Sequence, residues 1–197
     1  MKMKSKLYLG LALVFLLLTF AVPIWNIDLE APQYPEGIGL RIWINQISGA
    51  NENDLQNINK LNHYIGMKTI EPESIPELTI MPYIIIFFVV FGLVIIFLNK
   101  PKLIPIWLVL LTVCLIAGLY DFYIWEYDYG HNLDTKAAIK IPGMNYQPPL
   151  IGSKQLLNMK TTSLPAAGSF LIMISFVTFL AVYIYELRKG AGNAETK

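Results

Sequence analysis

Four long apolar runs constrain this chain more than any other feature. A helix needs about 20 predominantly apolar residues to cross the hydrocarbon core of a bilayer, and each run is close to that length. Only 15% of the 197 residues are charged, against about 25% in soluble domains. The sequence therefore predicts an all-α integral membrane protein with four transmembrane helices and a small cap built from its long connections. The predicted segments are an anchor helix (1–25), a long connection (26–79), two helices (80–98 and 103–120), a second connection (121–163), a fourth helix (164–186) and a tail (187–197).

Basic residues predict the orientation of these helices. Lys and Arg in short flanks mark the cytoplasmic side, and they precede the first run, separate the second from the third and follow the fourth. Both termini are therefore expected in the cytoplasm, with the long connections on the outer side of the membrane. The first run is alternatively a signal peptide, but it lacks a clear A-x-A site and stays apolar through Trp25. An uncleaved anchor is favoured.

Small counts exclude several classes of protein. One cysteine and two histidines exclude an internal disulfide, a CxxC redox pair, c-type haem and a typical three-histidine zinc site. The net charge of +1 gives no attraction to nucleic acid. No charge lies in the middle of a run, which argues against a proton relay or an ion pathway. Cys114 lies in the third run and is expected to be a small buried hydrophobe.

The two long connections show local signals of structure. Residues 26–37 contain two prolines and a glycine, which predict an extended stretch and a turn. Leu40–Asn45 alternates as a strand does. Asp54–Ile65 carries apolar residues at helical spacing, and Gly66 is suited to end that helix. A second short strand is expected at Ala137–Ile141, before a proline-rich segment.

Both histidines lie in the long connections, together with methionines. Imidazole and thioether groups suit copper, and thioethers favour Cu(I) because both are soft. If the connections pack together, His63, Met67, His131 and Met144 form one candidate Cu(I) site. The alternative is that the histidine at the helix end only caps it and that the methionines fill gaps in a core.

Acidic residues in the second connection form a second candidate site. Glu126, Asp128 and Asp134, with Asp121 nearby, are expected to make an acidic rim that binds a hard cation or docks a basic partner such as a cytochrome c. A solvated edge is the alternative. Nucleophilic catalysis has little support, so the chain is predicted not to be an enzyme. A membrane-interface enzyme would require His63 and Asp128 to lie close together.

Several strings in the connections resemble one known family. The chain is similar to bacterial four-span membrane proteins encoded beside the clade-II, Sec-exported nitrous-oxide reductases, a family often called NosB and common in Bacteroidota. The resemblance covers both long connections and the four-span layout. The strings that carry it are 29–37 (LEAPQYPEG), 54–59 (DLQNIN), 61–68 (LNHYIGMK), 129–134 (YGHNLD) and 141–144 (IPGM).

The resemblance implies an accessory role in nitrous-oxide respiration. The reductase is a periplasmic copper enzyme, so a membrane partner is expected to deliver copper, to help maturation or to bring electrons toward it. The expected partners are the lipid bilayer, the reductase or its maturation proteins, and a cytochrome c. The family gives no catalytic residues to carry over. Besides the copper candidates, only Glu30, Pro32 and Tyr34 transfer as conspicuous positions.

Overall fold

The computed structural model describes residues 1–194, with side chains described for residues 1–189. It contains five α-helices and five β-strands in that part of the chain. Their order is α1 (Met3–Leu18), β1 (Trp25–Ala31), β2 (Tyr34–Ile42), β3 (Ile47–Gly49), α2 (Asp54–Ile65), α3 (Pro76–Leu98), α4 (Ile104–His131), β4 (Gly152–Leu156), β5 (Met159–Pro165) and α5 (Ala167–Ala194).

Four of the helices are long and apolar enough to cross a membrane. They are α1 with the short 3₁₀ turn that follows it, then α3, α4 and α5. Large apolar side chains project from their outer faces, among them Phe97 at 79% exposure and Ile116 at 63%. Soluble monomers rarely expose contiguous apolar surface on this scale. These faces are compatible with a lipid bilayer.

A buried tryptophan contacts two neighbouring helices in the core of the bundle. The indole of Trp107 on α4 stacks on Phe179 of α5 at 3.7 Å between ring centroids, and its Nε1 donates to the backbone oxygen of Phe88 on α3 at 2.9 Å. Leu9 and Leu16 of α1 are also fully buried. The core therefore draws on all four long helices.

The two ends of the bundle differ. At one end the N-terminal amine donates to Asn99 Oδ1 at 2.9 Å, and Ser5 Oγ donates to Glu186 Oε1 at 2.6 Å. These contacts place the three basic flanks at the same end. At the other end the bundle carries a compact unit that we call the cap, which comprises β1–β5, α2, residues 121–131 of α4 and the segment 132–151.

The cap contains an antiparallel sheet, so the expectation of an all-α protein is wrong for this unit. The strand order is β3–β2–β1–β5–β4. The central strand β1 pairs with β2 through Trp25 and Ile42 and with β5 through Trp25 and Pro165. Inward Trp25 and Ile27 alternate with polar neighbours, the pattern of a sheet with one covered face. Pairing between β1 and β5 joins distant parts of the chain, which local patterns do not reveal.

Local predictions had mixed outcomes. The helix Asp54–Ile65 is confirmed at both ends, and Gly66 follows it with φ +82°. The strand predicted at Leu40–Asn45 is β2, which begins earlier and ends at Ile42. Ala137–Ile141 is not a strand; Ile139 makes one backbone bond, to Tyr64 O at 2.9 Å. The predicted fourth helix begins at Ala167, because 159–165 pairs with β1 as β5.

Helix α4 runs beyond the bundle into the cap. It has 28 residues, whereas a bilayer core takes about 20. The ring of Phe122 packs edge-on against that of Trp25, the first residue of β1, with the centroids 5.4 Å apart. Residues 121–131 of α4 therefore belong to the cap and follow the transmembrane helix that the sequence predicts at 103–120. This extension lies against the covered face of the sheet.

Candidate functional site

The cap encloses a cavity of about 70 Å³ between the sheet, α2 and the end of α4. That volume has room for a few water-sized groups. Its walls are mainly aliphatic and aromatic, with Ile27 and Leu40 from the sheet, Ile58 and Leu61 from α2 and Tyr129 from α4. A small, mostly apolar cavity with a few convergent polar atoms has the character of a binding site.

Glu126 places a carboxyl group in the wall of this cavity. The residue is fully buried, and neither carboxyl oxygen has a hydrogen-bond partner within the described part of the chain. Desolvation by burial raises the pKa of Glu126 from 4.5 to about 8. Because Glu126 lies four residues after Phe122 and three before Tyr129, the three share the helix face that packs on the sheet.

Two hydroxyl groups line the cavity with Glu126. Tyr146 is 3% exposed and Thr161, on β5, is 2% exposed. Neither hydroxyl has a hydrogen-bond partner among residues 1–189. Tyr146 is held by its backbone N–H, which donates to Gly130 O at 2.9 Å. Trp125 also lines the cavity, and its Nε1 is a buried donor without a partner, so the wall includes four side chains whose buried polar atoms make no bonds to the described protein groups.

Gly130 allows the segment 132–151 to close over the end of α4. A Cβ atom at Gly130 would lie 2.3 Å from the backbone nitrogen of Gln147 and 2.4 Å from its Cα. Those contacts involve backbone atoms, so no rotation of a side chain would relieve them. A glycine here is what lets Tyr146 reach the cavity.

The four predicted copper ligands occupy different environments. His63 is exposed on α2, and its ring packs edge-on against that of Tyr64, with the centroids 6.1 Å apart. Met67 lines the cavity wall. His131 stacks on Tyr127 at 4.0 Å, with Nδ1 3.1 Å from Tyr127 O. A proton at Nδ1 would leave Nε2 as the nitrogen that binds a metal.

The structure brings together the segments that carry these residues. Asp134 N–H donates to Gly66 O at 2.8 Å, so the end of α4 and the end of α2 are adjacent. Met144 is half-buried in the segment 132–151. Over the described residues, no group of three or more His, Cys, Asp or Glu side chains is placed to hold a metal ion.

The predicted acidic rim is wrong for Glu126, which is buried inside the cap. Its place on the apolar face of α4 is the physical reason. Asp128 is ion-paired with Lys68, and the hydrogen bonds from Lys68 and Asn132 lower the pKa of Asp128. Asp134 is exposed, and its Oδ1 accepts from Lys136 N–H at 2.8 Å. Asp121 is also exposed, so three carboxylates of the predicted rim remain at the surface, and Lys68 neutralises one of them, Asp128.

The carboxylate of Asp128, which the alternative of a membrane-interface enzyme would pair with His63, accepts hydrogen bonds from Lys68 and Asn132.

A larger apolar cavity of about 250 Å³ lies between the helices at the end of the bundle next to the cap. Met81 of α3, Leu115 of α4 and Ile172 of α5 are in its wall, and so is the partly buried Cys114. Trp125 borders both cavities. The surroundings of Cys114 match the hydrophobic role expected from its sequence.

Comparison with protein-family models, curated proteins and solved structures found no match to this chain.

Proposed function

We propose that this chain is a non-enzymatic accessory protein of nitrous-oxide respiration. Its four helices anchor it in the bacterial inner membrane with both termini in the cytoplasm, and its cap supports a copper reductase in the periplasm. The proposal rests on the strings that resemble the NosB family and on the basic flanks. The supporting structural observation is the way in which these strings meet.

Strings from the two connections pack against one another in the cap. Gly66 belongs to one string and Asp134 to another, and the backbone bond between them is 2.8 Å long. Lys68 pairs with Asp128 beside that bond. A partner that approaches the cap would therefore meet residues of both connections on one surface.

The proposed molecular role is the handling of Cu(I) during maturation of the reductase. The two imidazoles are accessible entry ligands, since His63 is exposed and His131 is partly exposed. Met67 and Met144 add thioethers, which bind Cu(I) and do not require a thiolate. The imidazole and thioether groups belong to adjacent parts of the cap.

A Cu(I) competition titration of the full chain in detergent tests this role. We expect uptake with micromolar affinity by the natural sequence and its loss in the double variant His63→Ala with Met67→Ala. Met173→Leu is the matched control, because Met173 is 54% exposed on the outer face of α5. Absence of micromolar uptake, or uptake that survives the double variant, would reject the copper role.

A test in cells addresses the accessory function separately. In the bacterium that encodes this chain, deletion of its gene should lower the copper content and activity of the nitrous-oxide reductase, and the natural gene should restore both. A reductase that keeps its full copper content and activity without this chain would overturn the proposed function. Normal copper content with low activity would instead favour the docking or electron-transfer role with a cytochrome c.

A further inference from the structure

The cavity around Glu126 has a definite chemical preference. Its only carboxyl group is that of Glu126, and none of the described residues in its wall is Lys, Arg or His. A buried carboxyl without a counter-charge must hold a proton or meet a cation, because an isolated buried charge is very costly. The cavity therefore favours a ligand that carries positive charge.

The number of free acceptors limits the kind of cation. Glu126 offers two buried oxygens without a partner in the described chain, and Tyr146 and Thr161 offer one each. A hard divalent ion such as Mg²⁺ or Ca²⁺ takes six or more oxygen ligands, and one carboxyl with two hydroxyls does not supply them. A primary ammonium group has three N–H donors, which equals the number of these acceptor groups.

The remaining wall suits the carbon atoms of such a ligand. The rings of Trp125, Tyr129 and Tyr146 line the cavity, together with aliphatic side chains and the thioethers of Met67 and Met159. Aromatic faces attract ammonium groups through their negative quadrupoles, and the aliphatic walls would cover an alkyl group. The cavity of about 70 Å³ restricts the alkyl group to a few carbons.

We propose that the cap binds a small primary alkylammonium ion in this cavity, with Glu126 as its counter-ion and Tyr146 and Thr161 as further acceptors. This site uses neither histidine and shares only Met67, in its wall, with the proposed copper ligands. It also explains why a glutamate lies on the apolar face of α4, where an apolar residue would remove the cost of burying a carboxyl group.

Binding should be coupled to release of a proton. Burial raises the pKa of Glu126 to about 8, so the empty site is mostly protonated at neutral pH. The ammonium ion requires the carboxylate, and the carboxyl O–H proton therefore passes to the buffer as the ligand binds. The other titratable groups that line the cavity are Tyr129 of α4 and Tyr146; the described strands and α2 place none there.

Isothermal titration of the full chain in detergent with propylammonium chloride tests the proposal. We expect saturable binding whose affinity rises about tenfold per pH unit below the pKa of Glu126 and levels off above it. At a pH below that pKa, the binding enthalpies measured in two buffers of different ionisation enthalpy should differ. The difference should equal the difference between the two ionisation enthalpies multiplied by the number of protons released, which is at most one. No saturable heat, or heats that do not depend on the buffer, would overturn the proposal and indicate ordered water only.

Two variants identify the counter-ion. Glu126→Gln should weaken binding about thirtyfold or more, since the ligand then loses its only charged partner. Glu36→Gln makes the same change at an exposed position of β2 and should bind as the natural chain does. Equal binding by Glu126→Gln, or equally tight binding of neutral propanol, would overturn the role of Glu126. Should Glu126→Gln fail to fold, the proton release of the natural chain decides the question alone.

Discussion

Glu126 of α4 and Thr161 of β5 line the same cavity, although 35 positions separate them along the chain. Both side chains are buried, and their oxygens have no hydrogen-bond partner in the described part of the protein. Buried polar groups are nearly always satisfied in native proteins, and exceptions call for an explanation. The interior of the cap therefore offers buried polar groups to a ligand or to ordered water.

Glu126 should make the stability of the cap depend on pH. The unfolded chain loses this proton near the ordinary pKa of 4.5, whereas the folded chain keeps it to about 8. Between these values the folded state binds more protons, so the free energy of unfolding should fall as pH rises, by at most about 5 kcal/mol. Chemical unfolding in detergent across this range provides the measurement.

Glu126→Gln supplies the control for that pH dependence. The amide does not titrate, so the variant should lose this part of the slope and be more stable than the natural chain above pH about 8. The difference between the two profiles removes the contributions of other acids. Parallel profiles would show that Glu126 titrates normally in the folded protein.

Thr161→Val should leave the cap as stable or more stable, by up to about 1 kcal/mol, because it removes a buried hydroxyl that makes no bond. Thr162→Val is the matched control in the same strand. Its hydroxyl lies 2.8 Å from Ser153 Oγ on β4, so its loss should cost about 0.5–1.5 kcal/mol. Thermal unfolding of both variants measures the difference, and a larger loss at Thr161 would indicate a bond that the natural protein needs.

Gly130→Ala should destabilise the cap, because the added Cβ would meet the backbone of Gln147 at 2.3 Å. Gly118→Ala is the control in the same helix. Apart from the adjacent residues and the nearby backbone of the same helix, no described atom lies within 4 Å of a Cβ at Gly118, and alanine favours a helix over glycine by about 1 kcal/mol. Hydrogen exchange of the segment 132–151 should increase in the first variant and stay unchanged in the second.

Trp107→Ala should destabilise the bundle by about 3 kcal/mol or more, because it removes a buried indole that contacts both α3 and α5. Ile116→Ala, on the exposed side of the same helix, should cost far less. Unfolding of the detergent-solubilised variants measures both. Similar losses for the two would contradict the central place of Trp107 in the core.

The sequence predicted elements with long, self-contained signals. The four apolar runs and the helix Asp54–Ile65 were predictable because hydropathy and helical spacing are local properties. The strand β5 was not, because its inward residues include Thr161 and Ser163, which give no apolar alternation. Its pairing with β1 also joins residues more than 130 positions apart, such as Leu29 and Thr161.

The candidate site was predicted only in part, since Glu126 and Met67 were singled out from the sequence, whereas Tyr146 and Thr161 were not. Glu126 was expected at the surface because α4 was predicted to end near residue 120. The three- and four-residue spacing to Phe122 and Tyr129 was the signal that could have placed it on an inward helix face. Met67 was considered as a copper ligand, but its place in the cavity wall depends on packing between the two connections.

Infrared titration of the Glu126 carboxyl group tests the central claim most directly. The difference between the spectra of the natural chain and Glu126→Gln isolates the carbonyl band of the protonated side chain. A buried carboxyl without partners should keep this band at neutral pH and lose it with a midpoint near its pKa of about 8. A band that disappears near the ordinary value of 4.5 would show a solvated or paired Glu126 and would contradict this account of the cap.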